Sequence, residues 1–159
     1  MPLTPFHLGP GALFKAVGGE RFSFTIFGGS QVLMDVEPLV RMVRGDAALH
    51  GPSHTVLGAC IIGLVSGVAG RPISETALRY LKIVHRPLTW PVSFASAFVG
   101  TYSHIALDAI MHKDMNPLWP FAVGNELLGI ISTSSLYLLC VISGIFGAWI
   151  IATKTNRSP

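Results

Sequence analysis

The sequence predicts an all-α fold: a small polytopic membrane bundle with a short N-terminal helical hairpin, three longer membrane helices and an interfacial amphipathic helix. Three observations predict it. Half of the 159 residues are hydrophobic and 12% are charged, with a mean hydropathy of +0.57; soluble domains carry about 25% charged residues. Apolar stretches recur along the chain, and the last of them, residues 127–153, contains no charge. The cations flank these stretches instead of interleaving with aromatics, so the net charge of +3 reads as membrane orientation and argues against a nucleic-acid partner. The length fits one integral-membrane domain, 1–159.

Each element has its own justification. Two short apolar arms, "HLGPGALFKAVGG" and "FSFTIFGGSQVLM", make residues 8–36 a hairpin that dips into the membrane and returns. Gly18-Gly19 is its turn, with Lys15, Glu20 and Arg21 near the tip. Neither arm reaches the ~20 residues that cross a bilayer. Residues 53–70, "SHTVLGACIIGLVSGVAG", are long enough to span, and Gly63 and Gly67 form a GxxxG pair for close helix approach. Pro52 and Ser53 suit the start of that helix, whereas Pro38 biases Glu37 out of helical backbone. Residues 71–90 form a cytoplasmic loop in which "SETALRYLKIV" reads as the interfacial helix, capped by Ser74, with Trp90 in the aromatic belt. Residues 91–111 and 127–153 supply the second and third spans. Cys60 and Cys140 lie inside apolar runs and read as small core hydrophobes, not as a disulfide. The opening "MPLTPFHLGPG" lacks the basic n-region and cleavage site of a signal peptide.

Charge sorts these elements by side. The hairpin tip, the 71–90 loop and the C-terminal tail hold Lys15, Arg21, Arg71, Arg79, Lys82, Arg86, Lys154 and Arg157. The opposite side holds Arg41, Arg44 and Lys113, so the first side faces the cytoplasm by the positive-inside rule. The outward side then collects Asp35, Glu37, Asp46, Asp108, Asp114 and Glu126, together with every histidine except His85. Acids and imidazoles pool at one membrane face.

The sharpest part of that pool is "SHIALDAIMHKDMNPLWPF". On a helix, residues four apart drift by only about 40°, so His104, Asp108 and His112 share one face. Ionisable groups near the hydrocarbon core are costly without a partner. A divalent cation would neutralise the carboxylates and accept the imidazole nitrogens, and a mixed His/carboxylate set suits zinc first, with manganese, iron or magnesium as alternatives. The candidate ligands are His7, Asp35, His50, His54, His104, Asp108 and His112, for one to two ions; Glu37 and Asp114 are the candidate proton-moving catalytic groups. Two other readings use the same residues. A divalent-cation transporter would spread polar groups through the membrane depth, and a non-catalytic adaptor or anchor would present a partner surface on the 71–90 loop.

"TPFHLGPGAL", "LMDVEP", "HGPSHTVLGA", "YSHIALDAI", "PLWPF" and "GNELLG", in this order, resemble the YdjM-like family of bacterial inner-membrane proteins. Its members are described as membrane-bound metal-dependent hydrolases and as LexA-binding. The resemblance runs from His7 to about Leu128, and the SHxxxD element with the downstream "LWP" is its most specific part. The family pattern has an early His, a PDxDH-like element, an HRGxTHS-like element and the SHxxxD helix. Carried over, it implies His7, Asp35, Glu37, His50, His54, His104 and Asp108 as site residues. The chain departs from it in Glu37-Pro38, and in "HGPSHT", which lacks the Arg and spaces its histidines four apart. His112 and Asp114 then stand as replacements for a lost ligand.

The resemblance and the residues together imply a multi-pass protein of the bacterial inner membrane. Its expected activity is metal-dependent hydrolysis of a phosphoester or ester in a lipid or lipid-linked substrate, at the outer face. The bilayer itself is the expected partner; the sequence is silent on oligomeric state.

Overall fold

A computed structural model describes residues 5–155, and no strand occurs among them. A tight turn at Pro5–His7 leads into α1 (Leu8–Gly18), and a second turn at Gly19–Arg21 leads into α2 (Phe24–Met34). Next come α3 (Val36–Arg44), α4 (Val56–Tyr80), α5 (Trp90–Met111) and α6 (Thr133–Thr155).

Local chemistry sets most of these limits. Ser23, Thr55 and Thr89 each accept a backbone N–H from the first turn of α2, α4 and α5, which satisfies one of the donors a helix start leaves open. Gly45 stops α3 with a positive φ of 75°, a conformation that favours glycine.

Three boundaries differ from the sequence reading, each for a local reason. Glu37 is helical after all, because Pro38 falls in the first turn of α3, where its missing N–H costs nothing. No separate interfacial helix forms in the 71–90 loop: α4 runs unbroken through Pro72 to Tyr80, carrying the "SETALRY" segment with it. Ser74 is buried in that run and does not start a helix. The last span begins at Thr133 instead of residue 127, because the Ser132 hydroxyl accepts the Ser135 N–H at 3.1 Å and caps α6 there.

Helices α2, α4 and α5 pack together, while α1 lies chiefly on α6. The interior is lined by small and weakly polar residues. On α5, Ser93, Ser96, Ala97, Gly100 and Thr101 are all buried. Their hydroxyls are used: Ser93 donates to the Gly67 carbonyl at 2.6 Å, and Ser96 accepts the Ser23 N–H at 2.8 Å. The α4 face opposite is opened by Gly63 and Gly67, against which the rings of Phe98 and Phe94 lie so closely that a Cβ would collide. Small residues of this kind let helices approach where apolar burial alone gives no driving force. Beside them, the Phe6 and Tyr137 rings stack at 4.6 Å, and Lys154 Nζ donates to the Ala16 carbonyl, tying α1 to α6.

Helices α4 and α6 are long and apolar enough to cross a membrane. Neither is the buried core helix of a water-soluble domain, since only 22% and 17% of their most apolar windows are covered. Leu64, Val68, Leu139, Ile145 and Trp149 are among the large side chains left exposed, and such a surface calls for lipid. The chain direction then places the site. His7 immediately precedes α1, Asp35 follows α2, His54 precedes α4, and His104 and Asp108 end α5. All meet at one end of the bundle.

Candidate metal centre

Asp108 is the hub. Buried in the last turn of α5, it faces five imidazoles, each through Nε2. Its Oδ2 lies 3.2 Å from His104, 3.4 Å from His54 and 3.9 Å from His50. Its Oδ1 lies 3.4 Å from His7 and 3.7 Å from His112. His104 Nε2 is also 3.2 Å from His54 Nε2 and 3.4 Å from Asp35 Oδ1. Helical spacing brings His104 and Asp108 together as expected. His112 lies just past the helix end in extended backbone, yet its ring still turns back to Asp108 and stacks on His50 at 4.3 Å.

For three of the five rings, the partner on the outer nitrogen explains why Nε2 points inward. The Gln31 amide oxygen sits 3.0 Å from His104 Nδ1 and can only accept, so Nδ1 carries a proton and Nε2 is the nitrogen turned toward Asp108. The Asp114 carboxylate does the same for His50 Nδ1, at 3.0 Å. The Ser53 hydroxyl meets His54 Nδ1 at 2.9 Å. Partners of this kind orient metal-binding imidazoles and fix their tautomers.

The inward geometry fits a cation. The His54 and His104 Nε2 atoms face each other at 3.2 Å, a spacing that two ligands of one cation would have. Ligands at the usual zinc distances of about 2.0–2.1 Å in a tetrahedron are about 3.3 Å apart. Four of the six separations among His54, His104, Asp108 and Asp35 are 3.2–3.4 Å and match those edges, and all six lie within 4.8 Å. The buried His7 Nδ1 and Nε2 and Asp108 Oδ1 have no hydrogen-bond partner, which is costly unless a ligand completes them. Among the described residues, two groups have donor atoms close enough to hold an ion: Asp35, His54, His104 and Asp108, and His50, Asp108 and His112. Asp108 belongs to both. The apolar side chains Met34, Ala59, Ile105, Ala109 and Met115 form a buried cluster interleaved in sequence with these ligands, which strengthens charge interactions nearby.

Glu37 and Asp114 stand one step back from the ligand groups. Glu37 accepts the Ser53 N–H at 2.8 Å and pairs with Arg41 at 2.8 Å, holding the turn that carries His54. Burial would raise its pKa, but the hydrogen bonds from Ser53 and Arg41 outweigh that and hold it below the usual carboxylate value. Asp114 accepts the backbone N–H groups of Leu49 and His50 as well as the His50 ring. Against the opposing pull of burial, those donors bring it down to about 2. A carboxylate held so low stays ionised and is a weak base near neutral pH. Gln31, which orients His104, was not singled out in the sequence. Its signal was there: a lone amide in the apolar run "FTIFGGSQVLM", one turn before Asp35.

A family model described as YdjM inner membrane protein matches residues 30–158. The chain belongs to the YdjM inner membrane protein family. Six of the seven candidate ligands lie within the matched stretch, and His7 is brought to them by α1 from outside it. Membership in the YdjM family agrees with the two apolar, lipid-suited helices α4 and α6 and makes this an inner-membrane protein. Among curated proteins and among solved structures, no match to the chain was found.

Proposed function

We propose that this YdjM family member is a membrane-embedded metal-dependent hydrolase that cleaves a phosphoester or ester of a lipid or lipid-linked substrate at the outer face of the inner membrane. The observation that carries the reading is the convergence of five imidazole Nε2 atoms on the two oxygens of Asp108. Asp35, His54, His104 and Asp108 would hold one ion, and His50, Asp108 and His112 a second, with His7 facing the same Asp108 oxygen as His112. The mixture of imidazoles and carboxylates suits zinc ahead of manganese or magnesium. A bound divalent ion supplies Lewis acidity toward a phosphoryl or acyl oxygen and acidifies water at neutral pH.

The protein's own groups do the rest. Gln31, Ser53 and Asp114 hold the ring planes of His104, His54 and His50 with Nε2 turned inward. Glu37 fixes the Ser53 turn and Asp114 fixes His50, so both act as positioning residues. His54, His104 and Asp108 are almost wholly buried, while His112 and Asp114 are partly exposed, so substrate and proton exchange belong on the His112 side.

The membrane arrangement in this reading has α4, α5 and α6 crossing and the α1–α2 hairpin entering from the outer face. Two contacts support it. Arg71 stacks 4.5 Å over Trp90, pairing an interfacial cation with an interfacial aromatic at the end of α5 away from the metal centre. Arg86, in the loop after α4, reaches Glu20 at the hairpin tip, at 2.8 Å. The tip and that loop therefore share a side, opposite the histidines that face Asp108. Trp90 and His104 are separated by about 21 Å of helix rise, which leaves the centre inside a core about 30 Å thick, toward its outer edge.

The test is hydrolysis of phospholipid vesicles by zinc- or manganese-loaded protein, with products read by lipid mass spectrometry. Released headgroup or fatty acid that is abolished by Asp108→Asn and by a chelator, and restored by metal, is the expected result. Loaded protein that leaves phosphoester and ester bonds of every lipid class intact contradicts the hydrolase reading.

A further inference from the structure

A trench outside the metal centre runs between α2 and α4. Its upper part is a cavity of 580 Å³ beneath α3, with Arg41, Arg44, Asp46 and the Ser53 turn around its mouth. Its lower part is a second cavity of 270 Å³ that extends along α4 as far as Ile73 and Ser74. The two share Leu33, Val36 and Val65 in their walls, so they adjoin along the seam between α2 and α4. From Val56, at the start of α4, Val65 lies about 14 Å and Ile73 about 26 Å along the helix.

The trench is therefore polar at the metal-side end and apolar for the depth of a hydrocarbon chain below it. Its apolar wall is uncovered: Leu33, Val36, Val65 and Ile73 are all exposed. The mouth offers phosphate-binding chemistry. Arg41 is anchored by Glu37 at 2.8 Å, whereas Arg44 is 70% exposed and pairs with Asp46 at the longer distance of 3.9 Å. An exposed guanidinium beside a second one suits a phosphate. Asp46 beside it leaves room for the ammonium of a zwitterionic headgroup.

We propose that this trench binds one glycerophospholipid of the surrounding bilayer, its phosphate on Arg44 and Arg41 and an acyl chain between α2 and α4. The inference rests on the membrane placement of α4 given above, and it does not need the metal centre to be catalytic. Ser53, which lines the mouth, is also the hydrogen-bond partner of His54, so the headgroup would lie one residue from a candidate metal ligand.

Native mass spectrometry of the detergent-solubilised full chain, titrated with dioleoyl phosphatidylethanolamine, tests this. One saturable lipid per chain is expected for the wild type. Arg44→Glu at the mouth and Val65→Trp in the trench should each weaken binding at least tenfold, while Ile145→Trp on the exposed face of α6 leaves it unchanged. Dioleoylglycerol, which lacks the phosphate, and glycerol 3-phosphate, which lacks the chains, should each bind at least tenfold more weakly. Absence of a saturable lipid, wild-type binding by both Arg44→Glu and Val65→Trp, or equal binding of dioleoylglycerol overturns the proposal. Arg44→Glu alters an exposed side chain and keeps the test valid should Val65→Trp fold poorly. Lipid retained by metal-free Asp108→Asn protein would show the site standing even if the hydrolase reading fails.

Discussion

Asp108 and Gln31 illustrate how a site can be half visible in a sequence. The pairing of His104 with Asp108 follows from a four-residue step on a helix, and the structure places their side chains 3.2 Å apart. Gln31 comes from another helix and meets His104 only after folding, so its place one turn before Asp35 marks it as unusual without naming His104 as its partner. Its removal is informative because it touches no proposed ligand atom: Gln31→Leu leaves every Nε2 in place but frees the His104 ring to rotate. Supports of this kind are worth about 10–100-fold in metal affinity. Gln31→Leu is expected to weaken zinc binding by about that factor in a competition titration with a fluorescent chelator. Unchanged affinity would mean that His104 is held by packing alone.

Among the elements, α5 carries the largest share of both core and site, and the small residues that let it pack also hid its extent of burial. Its sequence reads simply as an apolar span; the structure bears out the helix, Trp90–Met111 against 91–111, while the helices long and apolar enough to cross a membrane among the described residues are α4 and α6. The serines that line its interface gave no period that separated packing from chance. The ends of α4 and α6 were less legible, because Pro72 is tolerated inside a helix and the cap at Ser132 competes with the apolar run before it. Helix α3 escaped notice for a similar reason: Pro38 marks a helix start as readily as a break. Glycine shows the same duality. A Cβ at Gly67 would meet the Phe94 ring, whereas one at Gly29 meets nothing. Gly67→Leu should therefore destabilise the α4–α5 pair by about 1–3 kcal/mol, and Gly29→Ala should stabilise α2 by about 0.4–1 kcal/mol. Thermal unfolding in detergent measures both, and equal effects at the two positions would contradict the packing described.

For the whole molecule, the four converging helix ends and the sided charge make a single testable statement about orientation. Cys60 and Cys140 lie within the apolar helices α4 and α6, so new cysteines can be read over a low background. Asp46→Cys, on the metal side, should react with a membrane-impermeant maleimide on intact spheroplasts. His85→Cys, on the basic side, should react only after permeabilisation. The reverse pattern would move the metal centre to the cytoplasmic face and the expected substrate with it.

The metal centre itself is tested most directly by metal content per chain. Wild-type protein and Asp108→Asn would be purified gently without chelators and compared by plasma mass spectrometry, before and after incubation with zinc or manganese. One to two equivalents in the wild type, with a near-complete loss in Asp108→Asn, is the predicted result, because both candidate ligand groups share that carboxylate. A wild-type chain that holds no metal even after reconstitution would contradict it and would leave Asp108 as a buried carboxylate held by its imidazole contacts alone.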